Sequence, residues 1–99
     1  MIPYGKHFLD EDDIDSVVDV LRNGWLTQGP KIRAFEEAIS DRVNAKYAVA
    51  VSSATAALHL CCIAKNIGEG DVLITSANTF VASSNCAIYE GATPEFCDI

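Results

Sequence analysis

The chain has 99 residues, of which 49% are hydrophobic and three are proline, a composition that suits one packed domain rather than a disordered chain. Fourteen acidic and seven basic residues give a formal charge of −7. This charge argues against nucleic acid as a partner, because proteins that bind its backbone cluster lysine and arginine. The sequence has no signal-peptide pattern and no apolar run of about 18 residues, which predicts a soluble chain with no membrane partner.

Two amphipathic helices are predicted in the first half of the chain. Asp10 can cap a helix that runs to about Asn23, and Gly24 ends it. Pro30 suits the first position of a second helix, after which Asn44 can take the left-handed terminal position. The apolar face of the first helix comprises Ile14, Val17, Val18 and Leu21. The buried stripe expected for the second comprises Ile32, Phe35, Ala38, Ile39 and Val43.

After residue 46, short apolar segments alternate with helical ones. The pattern predicts strands at about 47–51, 72–75 and 94–97, with helices at about 54–66 and 80–90. Continuously apolar strands separated by helices indicate parallel β-α-β units. The sequence therefore predicts an α/β fold, with two leading helices followed by β-α-β-α-β and a mainly parallel sheet.

A turn of small hydroxylated residues connects the first predicted strand to the helix after it. Ser52, Ser53 and Thr55 lie in this turn, at the carboxyl end of a strand, where open α/β sheets bind their ligands. The unpaired N–H groups and the positive dipole end of a helix start can hold a phosphate. Serine and threonine are also the ordinary residues of a helix cap. The residues alone leave both interpretations open.

Histidine and cysteine residues show no catalytic or metal-binding pattern. His59 lies inside a helix, where we expect a partly buried structural side chain. The cysteines lack C-x-x-C spacing and a histidine pair in a zinc-site arrangement, so we predict no metal site. We expect them to be small buried residues in a reducing cytoplasm. The four are Cys61, Cys62, Cys86 and Cys97.

Several separate motifs resemble one known family. In order, they are I-P-Y at residues 2–4, G-W-L-T-Q-G-P at 24–30, S-S-A-T-A-A at 52–57, T-S-A-N-T-F-V-A-S-S-N at 75–85 and G-A-T-P-E-F at 91–96. In this order and spacing, the chain resembles the amino-terminal quarter of the pyridoxal-phosphate-dependent sugar-nucleotide aminotransferases of the DegT type. The resemblance covers nearly all of the chain. It implies that residues 1–99 are an incomplete, amino-terminal part of the large domain of the fold type I PLP-dependent transferases.

The resemblance implies a site for pyridoxal 5′-phosphate. Ser53, Ala54 and Thr55 match the family's binding turn for the cofactor phosphate, although many members have glycine where this chain has Ala54. Phe80 matches an aromatic residue that stacks on the pyridine ring of the cofactor. Considered without the resemblance, Phe80 is a core residue at a helix start.

The resemblance also implies a site for a nucleotide sugar, formed by an amino-terminal tyrosine and the loop after the first helix. The alternative for Trp25 is that it only anchors this loop. The substrate-site residues implied are Tyr4, Gly24, Trp25, Leu26 and Thr27.

The implied activity is transfer of an amino group from an amino acid, usually glutamate, to a keto sugar on a nucleotide, in a cytoplasmic homodimer. Among members, the chain looks most like the aminotransferases of the pseudaminic acid pathway. These act on a UDP-linked 4-keto-6-deoxy-N-acetylhexosamine for cell-surface glycan biosynthesis.

The catalytic residues of the family have no counterpart in this chain. The lysine that bonds to the cofactor and the carboxylate that keeps its pyridine nitrogen protonated both lie beyond residue 99 in the family. We therefore expect no catalytic residue here and interpret the chain as a fragment or truncated product. Two alternatives stay open: a sugar dehydratase of the same fold, in which histidine replaces the lysine, and a non-catalytic module for regulation or assembly. The lysines that lack the motif context are Lys6, Lys31, Lys46 and Lys65.

Overall fold

The structure, a computed structural model, describes residues 2–99 and divides the chain into two units. One unit extends to Ala50, and the other comprises Val51–Ile99.

The first helix, α1 (Glu11–Asn23), begins at a reciprocal capping box. The carboxylate of Asp10 accepts from the backbone N–H of Asp13 at 3.1 Å, and the Asp13 carboxylate accepts from the Asp10 N–H at 3.3 Å. At the other end, the N–H of Gly24 donates to the carbonyl of Val20 at 2.9 Å. Both predicted ends of α1 are confirmed.

The second helix, α2 (Pro30–Val43), begins and ends where the sequence predicts. Pro30 takes the first turn, where a missing N–H costs nothing. Asn44 follows the helix in the left-handed conformation, with φ 53° and ψ 41°.

The prediction that α2 carries a buried stripe is wrong for the described residues. Phe35 is 59% exposed and Val43 is 63% exposed, and neither α1 nor α2 has a buried residue. The periodicity of a helix predicts which face is apolar, but burial also needs an element that packs against that face. In its described residues, the unit that extends to Ala50 contains no strand that could do so.

The prediction of a strand at 47–51 is also wrong. Residues 47–51 form no strand, and the sheet in residues 2–99 consists of two strands that lie later in the sequence. A strand needs a hydrogen-bonded neighbour. Here the N–H of Ala50 donates instead to the carboxylate of Glu36 at 2.8 Å.

The second unit has the order α3 (Ala54–Ala64), β1 (Val72–Ser76), α4 (Ala82–Tyr89) and β2 (Thr93–Cys97). The two strands pair in parallel, from Val72 opposite Thr93 to Ser76 opposite Cys97. The predicted β-α-β unit over the last third of the chain is confirmed, with both helices slightly shorter than expected. The α/β class is confirmed as well.

The core of the second unit lies where α4 packs on α3 and on the two strands. Its buried side chains are all small, which lets the two helices approach closely. The expectation of four buried cysteines is half wrong, because Cys61 and Cys97 are exposed. Neighbouring helix positions point about 100° apart, so Cys62 can face α4 only if Cys61 points away. The buried apolar residues are Cys62, Ala82, Cys86, Ala87 and Ala92.

Candidate functional site

The hydroxyl-rich turn lies at the amino end of α3. Ser53 is the N-cap in an extended conformation, and its Oγ accepts from the N–H of Ala56 at 3.2 Å. The carbonyl of Ser53 accepts from the N–H of Ala57 at 3.1 Å. The capping interpretation of this turn is therefore confirmed.

Donor groups remain at this turn after capping. Among residues 2–99, the structure gives no protein acceptor to the backbone N–H groups of Ala54 and Thr55. The Ser53 hydroxyl uses a lone pair for the cap and keeps its proton as a donor. An anion at this position would meet two amide groups, up to two hydroxyl groups and the positive end of an 11-residue helix. Capping and anion binding are thus compatible here.

Phe80 lies in the loop that connects the carboxyl end of β1 to α4. Its side chain is 72% exposed, so it is not a core residue of the described chain. Its carbonyl accepts from the N–H of Ser83 at 2.9 Å, which forms a turn immediately before α4. A flat aromatic ring is therefore presented to its surroundings by an ordered backbone.

The two predicted cofactor segments belong to the same unit, Val51–Ile99. Ser53, Ala54 and Thr55 start α3, and Phe80 follows β1. No hydrogen bond joins the two segments among the described residues.

The predicted substrate residues belong to the unit that extends to Ala50. Tyr4 is fully exposed, Trp25 is 77% exposed and Leu26 is 70% exposed. The loop that contains Trp25 and Leu26 is tight, because a Cβ on Gly29 would lie 2.5 Å from the carbonyl oxygen of Trp25. Gly29 belongs to the G-W-L-T-Q-G-P motif, and the structure shows that this close approach requires a glycine there.

A hydrogen-bonded contact that no local sequence pattern predicts links α3 to the end of α4. Nε2 of His59 lies 2.5 Å from a carboxylate oxygen of Glu90, and the His59 ring packs edge-on against Tyr89 with centroids 5.2 Å apart. The expectation of a partly buried structural histidine is confirmed. These partners are 31 residues apart in the sequence, so no local pattern could have revealed the pair.

The buried thiol of Cys62 is not a nucleophile at neutral pH. Burial, followed by the neighbouring thiol of Cys86, raises the pKa of Cys62 from 9.0 to about 11. The thiolate is the reactive form of cysteine, and it is scarce far below the pKa.

Residues 2–99 show neither a metal-binding cluster nor a membrane-spanning helix. No group of three or more histidine, cysteine, aspartate or glutamate side chains in this part of the chain is arranged to hold a metal ion. None of the described helices is both long and apolar enough to cross a membrane.

Parallel strands joined by a helix, with a hydroxyl-rich helix start before them, define an α/β segment with an anion-binding type of turn. Residues 7–99 match the DegT/DnrJ/EryC1/StrS aminotransferase family. The chain belongs to that family.

Curated relatives match almost the whole chain. The spore coat polysaccharide biosynthesis protein SpsC of Bacillus subtilis is 47% identical over 98 residues. The UDP-4-amino-4-deoxy-L-arabinose–oxoglutarate aminotransferase of Shewanella sediminis is 44% identical over the same length. In both comparisons the match covers 99% of this chain and 25% of the relative, so the chain spans about a quarter of the length of these relatives.

Solved structures give the same result for the fold. A candidate sugar aminotransferase of Streptococcus pneumoniae superposes with a TM-score of 0.90 and 40% identity, over 99% of this chain and 25% of that one. It is known in apo, PLP and PMP forms. An aminotransferase of Psychrobacter cryohalolentis superposes with a TM-score of 0.85, at 32% identity, over 98% of this chain and 25% of that one. The fold prediction is confirmed, and pyridoxal phosphate is the cofactor of the family's aminotransferases.

Proposed function

We propose that this chain forms the amino-terminal part of the large domain of a pyridoxal-phosphate-dependent aminotransferase. The enzyme passes an amino group from glutamate to a keto sugar carried on a nucleotide. The observation that carries the proposal is the amino end of α3, where a capped helix start keeps the N–H groups of Ala54 and Thr55 available for an anion. Membership in the aminotransferase family supports the reaction class.

The residues at this helix start fit a phosphate group. Small side chains at 53–56 let an anion approach the backbone, and the Ser53 and Thr55 hydroxyls add donors. The exposed ring of Phe80 offers a flat apolar face for the pyridine ring. When bound, the cofactor supplies an electron sink for cleavage of a bond at the amino-bearing carbon. The contribution of this chain is to bind and orient it.

We further propose that Tyr4 and the loop at 24–27 contact the nucleotide sugar. These residues, namely Tyr4, Gly24, Trp25, Leu26 and Thr27, present exposed aromatic and apolar surface. Aromatic side chains are suited to stack on a nucleobase or a sugar ring. The substrate we propose is a UDP-linked 4-keto-6-deoxy-N-acetylhexosamine, as in the pseudaminic acid pathway, and the enzyme is a cytoplasmic homodimer. The Shewanella relative is an aminotransferase named for another UDP-linked 4-amino sugar, which supports the proposed nucleotide and ring position.

The phosphate role of the turn is tested at Thr55 in the full-length polypeptide. Thr55→Val removes a hydroxyl and keeps the shape of the side chain, so cofactor affinity should fall by about 1–2 kcal/mol, or roughly 5–30-fold. Thr55→Ser keeps the hydroxyl and is the matched control. Titration of pyridoxal phosphate against the three proteins gives the affinities, and equal values for Thr55→Val and the unchanged protein would remove Thr55 from the site.

The reaction is tested by the mass of the sugar product. With glutamate and a UDP-4-keto sugar, the proposal predicts an amino sugar and 2-oxoglutarate in equal amounts. A deoxygenated sugar without consumption of glutamate would assign the protein to the dehydratases of the same fold.

A further inference from the structure

Among residues 2–99, hydrogen bonds hold the backbone around Phe80, whereas its ring packs little against other side chains. The ring is 72% exposed, so neighbouring side chains constrain it little. The residues that follow it are anchored in the core, since Ala82 is 3% exposed and Ser84 is 7% exposed. Among the described residues, the direction in which the Phe80 side chain leaves the backbone is therefore set by the turn that connects it to this anchor.

Ser83 makes two hydrogen bonds across that turn. Its backbone N–H donates to the carbonyl of Phe80 at 2.9 Å, and its Oγ lies 3.0 Å from Oγ1 of Thr79. The second bond joins two hydroxyl groups, either of which can donate. Ser83 thus holds the residue before Phe80 by a side chain and Phe80 itself by the backbone.

The anchor on the α4 side is reinforced by one more residue. The Oγ of Ser84 donates to the carbonyl of Val81 at 3.0 Å. The backbone N–H of Ser84 donates to the same carbonyl at 3.2 Å. The start of α4 is therefore held by hydrogen bonds to the carbonyl of Val81. The hydrogen bond between the hydroxyl groups of Thr79 and Ser83 connects this helix start to the residue before Phe80.

We propose that Thr79 and Ser83 are positioning residues that hold the Phe80 ring in the orientation needed to stack on the cofactor. This inference rests on the proposed function, in which Phe80 stacks on pyridoxal phosphate. A stacking partner must be placed accurately, because small displacements of a binding group lower its contribution steeply. Neither hydroxyl touches the cofactor in this proposal, and both act through Phe80.

The test uses the full-length polypeptide with pyridoxal phosphate as the probe. Thr79→Val and Ser83→Ala should each raise the dissociation constant about threefold, the scale of one exposed neutral hydrogen bond. Each should also lower the circular dichroism induced in the visible band of the bound cofactor, which reports the asymmetry of its surroundings. Thr79→Ser restores the hydroxyl and should restore both readouts. Because both substitutions remove the same hydrogen bond, the double variant should bind pyridoxal phosphate no more weakly than either single variant.

Two controls separate the outcomes. Thr93→Val removes a threonine hydroxyl at the exposed start of β2 and should change neither readout. If Thr79→Val behaves like Thr93→Val while Phe80→Ala weakens binding, the positioning role is refuted and the proposed function stands. If Phe80→Ala also leaves affinity and dichroism unchanged, stacking by Phe80 is refuted, and the positioning role falls with it.

Discussion

Ser53 serves as a helix cap in the structure and as a phosphate ligand in the proposed function, and substitutions at this residue can separate the two roles. Ser53→Ala removes the Oγ that accepts a 3.2 Å hydrogen bond from the N–H of Ala56. No acidic residue lies in the first turn of α3 to replace it. Loss of a serine N-cap costs about 1 kcal/mol, which corresponds to a roughly fivefold increase in the open population of the helix.

The effect is measured by amide hydrogen exchange in the cofactor-free full-length polypeptide, on peptides that cover residues 54–64. Exchange through local opening reports the free energy of that opening. Ser52→Ala is the matched control, because Ser52 is exposed and makes no hydrogen bond to the helix among the described residues. Unchanged exchange in Ser53→Ala would refute the assignment of Ser53 as the cap that stabilises α3.

Ser53→Asp distinguishes the two roles. Aspartate is as good an N-cap as serine, so exchange in α3 should stay normal. A carboxylate at the phosphate position would repel the anion, so affinity for pyridoxal phosphate should fall by more than about tenfold. Full affinity in Ser53→Asp would mean that the phosphate does not bind at this turn.

Two further outcomes are expected. Because the folded chain raises the pKa of Cys62 from 9.0 to about 11, the folded state binds the thiol proton more tightly than the unfolded state. This contribution to stability is fully present below about pH 9 and is lost as the pH rises toward 11. The urea concentration at the midpoint of unfolding should therefore fall between pH 9 and 11. In Cys62→Ala the midpoint should fall less over the same range. The 99-residue chain by itself should show no aminotransferase turnover with added cofactor, glutamate and a UDP-4-keto sugar, because it lacks the family's cofactor-binding lysine. Turnover by this chain alone would contradict the proposal that the residue that bonds to the cofactor lies outside residues 1–99.

The features that were predicted correctly are those that neighbouring residues decide. An aspartate N-cap, a proline in the first turn and a left-handed asparagine each act within four residues, so the ends of α1 and α2 can be predicted from the sequence. Serine is also an ordinary capping residue, so capping was one of the two interpretations that the sequence left open at the turn before α3, where the structure makes Ser53 the N-cap. The order of β1, α4 and β2 follows from apolar periodicity and short connections.

The features that were missed depend on distant partners. Residues 47–51 have the composition of a strand, but a strand forms only beside another one, and composition carries no information about the neighbour. The apolar faces of α1 and α2 show the same limit, because periodicity identifies a face without showing what covers it. His59 and Glu90 meet through the packing of α3 against α4. In the candidate site, the bond between Thr79 and Ser83 depends on the loop path before α4 and has no signature in the sequence.

The distribution of side-chain sizes supports the proposal that this unit works within a larger polypeptide. In Val51–Ile99 the buried apolar side chains are those of alanine and cysteine, whereas Ile74 is 68% exposed and Phe96 is 60% exposed. Burying one such large side chain stabilises the folded state by about 1.5–3 kcal/mol. Within residues 2–99, the sheet gains little of this stabilisation from Ile74 and Phe96. Phe80 differs from these two residues in its position, because it lies in the loop after the carboxyl end of β1, where open α/β sheets bind their ligands, whereas Ile74 and Phe96 lie within the paired strands. An apolar side chain on a strand is suited to packing against a covering element, and this is why we assign ligand contact to Phe80 rather than to Ile74 or Phe96.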